Sequence, residues 1–296
     1  LGINKLHARG NSVMILTNYK SDNYYAKINQ SKIYVDYVNS LAKIVDFHNI
    51  SVQNIKRLVH FASRQHLGKI ICNCDAASFK NFIKAGFKLE GKIDSYFKGE
   101  SAFCMSYFIS KKRKLYNKHS MENLILIQSL NAESTFVPDT TLKYNIRYAE
   151  KRDAKQMSEL FSKVFFECPS PLFDEKYLKD NMNKRILYKT AVYNGKIISA
   201  ASAYLNEEDL NAELINCATH PNYRNKGVVS NIISSFESDL ISMGYMGIYS
   251  LSRATCTSIN FALSKNNYKF RGRLINNCNI YGEFEDMNIW VKDFNN

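Results

Sequence analysis

The segment Thr219-His-Pro-Asn-Tyr-Arg-Asn-Lys-Gly-Val-Val-Ser230 is the stretch whose residue types and spacing point most directly to chemistry. It joins a strand-like run, Ala212 to Ala218, to an amphipathic helical run from Val228 to Met243. Backbone N–H groups in such a turn, at the positive end of the following helix, form a cradle for an anion. Within the spacing Arg224-x-x-Gly227-x-Val229, Gly227 lets phosphate oxygens approach the main chain, which makes the turn a candidate pyrophosphate site. Arg224, Asn225, Lys226, Gly227, Val228, Val229 and Ser230 are its candidate ligands. The alternative is a plain strand-to-helix turn in which Gly227 supplies an unusual dihedral.

Other chemistry is excluded more readily than found. Seven cysteines (Cys72, Cys74, Cys104, Cys168, Cys217, Cys256, Cys278) are odd in number, form no CxxC pair and sit mostly in apolar runs. That usage suits reduced core thiols and a cytoplasmic protein. Cys72 and Cys74 would share one face of a strand, but no second pair follows, so no metal is expected. The formal charge is +13, from 40 Lys and Arg against 27 Asp and Glu, yet only Lys111 to Lys114 forms a dense basic run. Nothing resembles a zinc finger, an RNP motif or a basic zipper, so no nucleic-acid partner is expected, while a small phosphorylated cofactor would exploit the same field. No run reaches the ~18 apolar residues that cross a bilayer, and Leu1 to Gly10 has no apolar block behind Lys5 and Arg9. The expectation is a soluble, unexported protein with no membrane partner.

The elements that must position the turn follow from length and periodicity. At roughly 150 residues per domain, 296 residues suggest two domains. The stretch Asn131 to Thr141, NAESTFVPDTT, is the most linker-like, giving a first domain at 1–130, a linker at 131–142 and a second domain at 143–296. In the first half the pattern predicts strands at Lys32–Val38, Lys69–Cys74 and Phe103–Ile109, and helices at Val52–His66 and Ala76–Ala85. In the second, strands are predicted at Tyr144–Ala149, Lys189–Tyr193, Ile197–Leu205, Ala212–Ala218, Gly247–Ser252, Tyr268–Leu274 and Met287–Val291. Helices are predicted at Asp153–Phe166, Val228–Met243 and Ser258–Asn266. Asn194-Gly195 signals a hairpin. A weak repeat links the halves: Ile70, Ala85-Gly86-Phe87 and Gly91 correspond to Ser250, Asn266-Asn267-Tyr268 and Gly272.

This succession resembles the GNAT acetyltransferase superfamily, and HPNYRNKG resembles its Q/R-x-x-G-x-G/A pyrophosphate motif, with Val229 where Gly or Ala is usual. Within the superfamily the chain looks most like the β-lysine Nε-acetyltransferase family. The likeness is carried by NAEL (Asn211 to Leu214), HPNYRNKG, the run from Ser252 to Gly282, and EDMNIWVKDF (Glu285 to Phe294). KIICNCDAASF, AGFKLEGKIDSYFKGE and AFCMSYFI extend it into the first half. The resemblance implies an α/β (α+β) chain: a GNAT acyltransferase fold with a mixed, mostly antiparallel sheet, preceded by a smaller degenerate GNAT-like domain. That first domain would wall the substrate cleft or make a homodimer.

The resemblance also implies a reaction, transfer of acetyl from acetyl-CoA to the ε-amine of β-lysine, giving the compatible solute Nε-acetyl-β-lysine. Glu213 would be the general base. Asn216 stands where a second acid is expected and would orient substrate or water. Main-chain groups of Cys217, Ala218 and Thr219 would meet the pantetheine arm and the thioester oxygen. The positions of the superfamily's usual tyrosine acid and its preceding Asn fall on Leu263 and Cys256, so neither role carries over. Asn260 would line the cofactor. Arg253, Asn276 and Asn277 would address a substrate carboxylate, and Asp174 or Glu285 an ammonium. Cys168-Pro-Ser-Pro171 would form a rigid loop over the substrate. Alternatives are an acetyltransferase for another small amine or a protein lysine, or a non-catalytic acyl-CoA-binding module.

Overall fold

Strands dominate both halves, and they hydrogen-bond into one sheet. The computed structural model describes residues 22–115, 118–132, 142–165, 171–182, 184–280 and 282–295. The first half contributes β1 (Tyr24–Ile28), β2 (Ser31–Asp36), β3 (Leu41–Asp46), α1 (Val52–Arg64), β4 (Lys69–Cys74), α2 (Ala76–Lys84), β5 (Lys88–Phe97), β6 (Glu100–Phe108) and α3 (His119–Asn131). The second contributes β7 (Asn145–Tyr148), α4 (Ala154–Val164), α5 (Glu175–Asn181), β8 (Ile186–Tyr193), β9 (Lys196–Asn206), β10 (Asn211–Thr219), α6 (Val228–Ser242), β11 (Gly247–Arg253), α7 (Thr257–Lys265), β12 (Lys269–Ile280) and β13 (Glu283–Asp293). Of the linker-like stretch, residues 133–141 lie outside the described residues, as do Cys168, Pro169 and Ser170 of the proposed substrate loop.

Among the described residues the sheet has 13 strands in the order β1-β2-β3-β4-β6-β5-β12-β13-β11-β10-β9-β8-β7. Pairing is antiparallel except between β3 and β4 and between β10 and β11. Those two parallel pairs are each joined through a helix, α1 and α6, as parallel neighbours require. The Asn194-Gly195 turn joins β8 to β9 with both residues at positive φ, 48° and 72°, the twist that suits a tight hairpin.

The two halves repeat one arrangement. The order β2-β3-α1-β4-α2-β5-β6 recurs as β9-β10-α6-β11-α7-β12-β13, and the halves meet where β5 and β12 pair at Gly91 and Gly272. Gly91 pairs with Cys104 and Gly272 with Ile289, and following the pairing outward aligns Ile71 with Tyr249 and Lys43 with Glu213. The sequence repeat sets Ile70 against Ser250; the pairing sets it against Ile248, a slip of two residues. The cause is the longer passage from β11 to α7, residues 254–256, against the single Asp75 between β4 and α2.

Helices α1 and α2 cover one face of the first half; in the second, α6 and α7 cover one face and α4 and α5 pack on part of the other, over Tyr188, Ala200 and Ala218. Under α1 and α2 lie Ala42, Ile44, Ile70, Cys72 and Met105. Under α6 and α7 lie Ala212, Leu214, Ile248 and Trp290. Alternation along each strand therefore sends Lys43 to the face opposite α1 and α2, and Glu213 and Tyr249 to the face opposite α6 and α7. There a smaller core joins the halves, drawing Ile93, Ala102 and Cys104 from one and Tyr249, Leu274, Ile289 and Val291 from the other.

Candidate active site

The turn after β10 differs from its counterpart after β3 in how the next helix begins. Helix α1 starts from Ser51, whose hydroxyl accepts a hydrogen bond from the Asn54 N–H at 3.2 Å. Helix α6 starts from Gly227 in the left-handed conformation (φ 72°) and has no side-chain cap. The first N–H groups of a helix have no partner within it. In the first half Ser51 answers part of that need; in the second it is left for something else. Asn225 also sits at positive φ, 60°, which folds the turn tightly before the helix.

Beside this turn lies a cavity of about 630 Å³. Of the proposed cofactor ligands, Cys217, Thr219, Arg224, Asn225, Gly227, Val228, Val229 and Ser230 line it. Ala218, Lys226 and Asn260 do not. Ala218 is buried in the core against α4. Asn260 is fully buried beneath the cavity, where its Oδ1 accepts hydrogen bonds from Ser252, Asn288 and Trp290 and its Nδ2 donates to the carbonyls of Arg253 and Cys256. The opposite wall comes from α7, with Thr257, Ser258, Ile259, Phe261, Ala262 and Lys265. Sequence reasoning passed these over. Their signal was a second helix start, with a basic residue in that helix's last turn.

The shape and chemistry of this cavity fit a nucleotide-derived thioester: an uncapped helix start for a pyrophosphate, a cationic rim at Arg224 and Lys265, and an apolar floor at Val229 and Phe261. Leu263, where the superfamily's usual acid would stand, is buried in the core, and so is Tyr268. Burial pushes the Cys217 thiol up to about 12, so it faces the cavity as a neutral group.

Strand β10 carries this cavity to Glu213. Pairing of β10 with β9 jumps between Ile215 and Ala218, and Asn216 adopts positive φ, 56°, in the break. The main chain of Asn216 and Cys217 thus leaves the ladder. On its other edge β10 pairs with β11 only from Asn211 to Glu213, although both strands run on. Beyond Glu213 and Tyr249 the two are no longer paired, and the edge of β10 towards Cys217 and Thr219 is open.

Glu213 is half-buried at that point and accepts a hydrogen bond from the Tyr249 hydroxyl at 3.1 Å. Burial raises its carboxyl pKa, against the lowering effect of Lys43 and of the Tyr249 hydrogen bond. Asn216 donates to Ser202 Oγ at 2.9 Å.

Apart from Asn216 on the same strand, the residues proposed for the substrate are not gathered around Glu213. Asp174 caps α5 through the N–H groups of Lys176 and Tyr177. Asn276 donates to the carbonyls of Arg113 and Leu115, and Asn277 accepts from Lys69 at 3.4 Å, so both fasten β12 to the first half. Glu285 accepts from Lys118 and Thr255; burial would raise its carboxyl, but these bonds hold it below the usual value. Arg253 is exposed at the end of β11.

The Acetyltransferase (GNAT) family model matches residues 154–263 of the chain. N-acetyltransferase YodP of Bacillus subtilis is 31% identical over 87% of this chain and 94% of its own length. A β-lysine N(6)-acetyltransferase of Methanosarcina mazei is 31% identical over 78% of this chain and 93% of its own length. Its counterpart in Methanococcus maripaludis is 27% identical over 90% and 97%. Similarity over 78% to 90% of the chain reaches into the first half as well as the acetyltransferase core, and the chain belongs to the β-lysine Nε-acetyltransferase family of the GNAT acetyltransferases.

Proposed function

We propose that this chain transfers an acetyl group from acetyl-CoA to the ε-amine of β-lysine, by direct attack within a ternary complex, giving the compatible solute Nε-acetyl-β-lysine. The observation that carries the reading is the position of Glu213. It stands at the last paired residue before β10 and β11 part, on the strand whose continuation, Cys217 and Thr219, lines the cofactor cavity.

Acetyl-CoA supplies an activated acyl thioester. The residues of the chain do the rest. The turn from Arg224 to Ser230 and the wall of α7 hold the pyrophosphate end, and the unpaired main chain at Asn216 and Cys217 meets the pantetheine end. An attacking amine must be neutral, and with a lysine-type pKa of roughly 10.4 only about one in a few thousand is free at pH 7. Glu213 takes that proton. Its burial makes the carboxylate a stronger base than a solvated one, while the Tyr249 hydroxyl fixes the orientation of the oxygen it bonds. No proton donor is assigned at Leu263.

The first half is read as a degenerate copy of the second. Its connection from β3 to α1, residues 47–51, is shorter than residues 220–227, and Ser51 already caps the helix. It therefore walls the cleft and does not bind a second cofactor. Release of free thiol from acetyl-CoA tests the reaction, with β-lysine, α-lysine and a lysine peptide as acceptors. Turnover highest with β-lysine is expected. Thermal stabilisation by acetyl-CoA without thiol release on any amine would instead make the chain a binding module.

A further inference from the structure

Two charged side chains lie within electrostatic reach of each other where the faces of the two halves opposite α1 and α6 meet. Ala42 and Ile44 point into the core under α1, which leaves Lys43 directed away from it, beside Ile71 on β4 and on the same face as Asn73 and Cys104. Glu213 is directed the same way from the equivalent position in the second half. Tyr96 of β5 stands between them, with its ring 5.7 Å from that of Tyr249, and it lies within the electrostatic reach of both Lys43 and Glu213. Lys43, Ile71, Asn73, Tyr96, Glu213 and Ile215 are all half-buried, so this gap is enclosed by protein without being filled by it.

Lys43 is the group in this gap with an unmet need. Among the described residues its ammonium makes no hydrogen bond and no ion pair within 4 Å. Burial works to neutralise it, yet its pKa stands above the ordinary value; at neutral pH, where the Tyr96 phenol and the Cys72 and Cys104 thiols are uncharged, Glu213 is the anion that favours its cationic form. A half-buried cation without hydrogen-bond partners is unfavourable unless an anion completes it. Glu213 is engaged with Tyr249 and, as the base, must be free to accept a proton.

We propose that Lys43 of the first half receives the carboxylate of the substrate, while Glu213 of the second half receives the proton of its distal amine. The proposal rests on the acetyl-transfer reading above and narrows it to a free amino acid: a plain diamine or a lysine within a peptide lacks the carboxylate. It also assigns the first half a binding role that its missing phosphate turn would not suggest.

The test compares kcat/KM for β-lysine and for its carboxamide, which keeps both amines, in the wild type and in Lys43→Met. The wild type should prefer β-lysine by about 10- to 100-fold, the scale of a charge-assisted contact. Lys43→Met should lose that factor with β-lysine, mainly in KM, and lose distinctly less with the amide, so that the ratio of the two falls towards one even if a changed Glu213 alters both rates. Lys43→Arg should keep part of it. Equal loss on both substrates would overturn the proposal, because Lys43 would then act through Glu213 or through the fold. Undiminished discrimination would also overturn it. Should Lys43→Met not fold, Lys43→Gln carries the same comparison, and a wild type indifferent to carboxylate against carboxamide overturns the proposal alone. A wild type that acetylates neither compound refutes the reaction itself, an outcome distinct from a failure at Lys43.

Discussion

Gly272 lies against Gly91 where the two halves join, so closely that a Cβ on Gly272 would stand 2.3 Å from the Glu90 carbonyl oxygen and 2.5 Å from the Gly91 Cα. Its φ of +143° excludes other residues as well. Gly91 is equally confined: a Cβ there would stand 2.5 Å from the Ile289 side chain and 2.8 Å from the Arg271 carbonyl oxygen. Gly272→Ala is expected to destabilise the chain by at least about 2 to 3 kcal/mol, since main chain must move on one side or the other. Denaturant unfolding of the two proteins checks this; equal midpoints would mean that the crossing is looser than described.

Asn260, expected from the sequence to touch the cofactor, instead binds Ser252, Asn288 and Trp290 in the core. Asn260→Ala leaves several buried donors unanswered and should cost about 2 to 4 kcal/mol of stability. At a temperature where the variant is folded, its KM for acetyl-CoA should match that of the wild type. A raised KM with unchanged stability would restore the cofactor role.

Gly227→Asp places a carboxylate where the pyrophosphate is held. Because aspartate tolerates the left-handed conformation better than most residues, the fold should survive. Calorimetric titration should show coenzyme A binding lost or weakened by at least about 100-fold, since like charges meet at an anion site. Unchanged affinity would place the cofactor elsewhere.

Glu122 sets a pH dependence remote from the cleft. Burial and the neighbouring Asp286 push its carboxyl up to about 7, with Arg273 opposing and Glu285 adding to the rise. The folded chain thus keeps a proton that the unfolded chain releases near pH ~4.3. Stability from this group is full below that pH and is lost as pH rises through about 7. Glu122→Gln should flatten the fall in melting temperature between about pH 5 and 8; parallel curves for the two proteins would contradict it.

Much of this architecture was legible because burial follows periodicity. β4 has the limits read from KIICNC, and α1, α2, α6 and α7 fall within two residues of their expected ends. Helix α3 was missed because its pattern is mixed: beside Ile125 it buries Glu122 and Ser129, through bonds to Arg273 and its own backbone, and exposes Met121, Leu124 and Ile127. β3 and β5 were hidden by charged residues at positions that face the gap or the seam, such as Lys43 and Glu90. The turn from Arg224 to Ser230 could be read locally, since its function lies in consecutive main-chain groups. The surroundings of Glu213 could not, because Lys43, Tyr96 and Tyr249 come from three strands that only the sheet order brings together.

The most direct test of the account is kcat/KM against pH for the wild type and Glu213→Gln. Removing the base should cost about 100-fold or more near pH 7 and progressively less towards pH 10, where more of the amine is already neutral. A loss of the same size at every pH would contradict Glu213 as the acceptor of the substrate's proton.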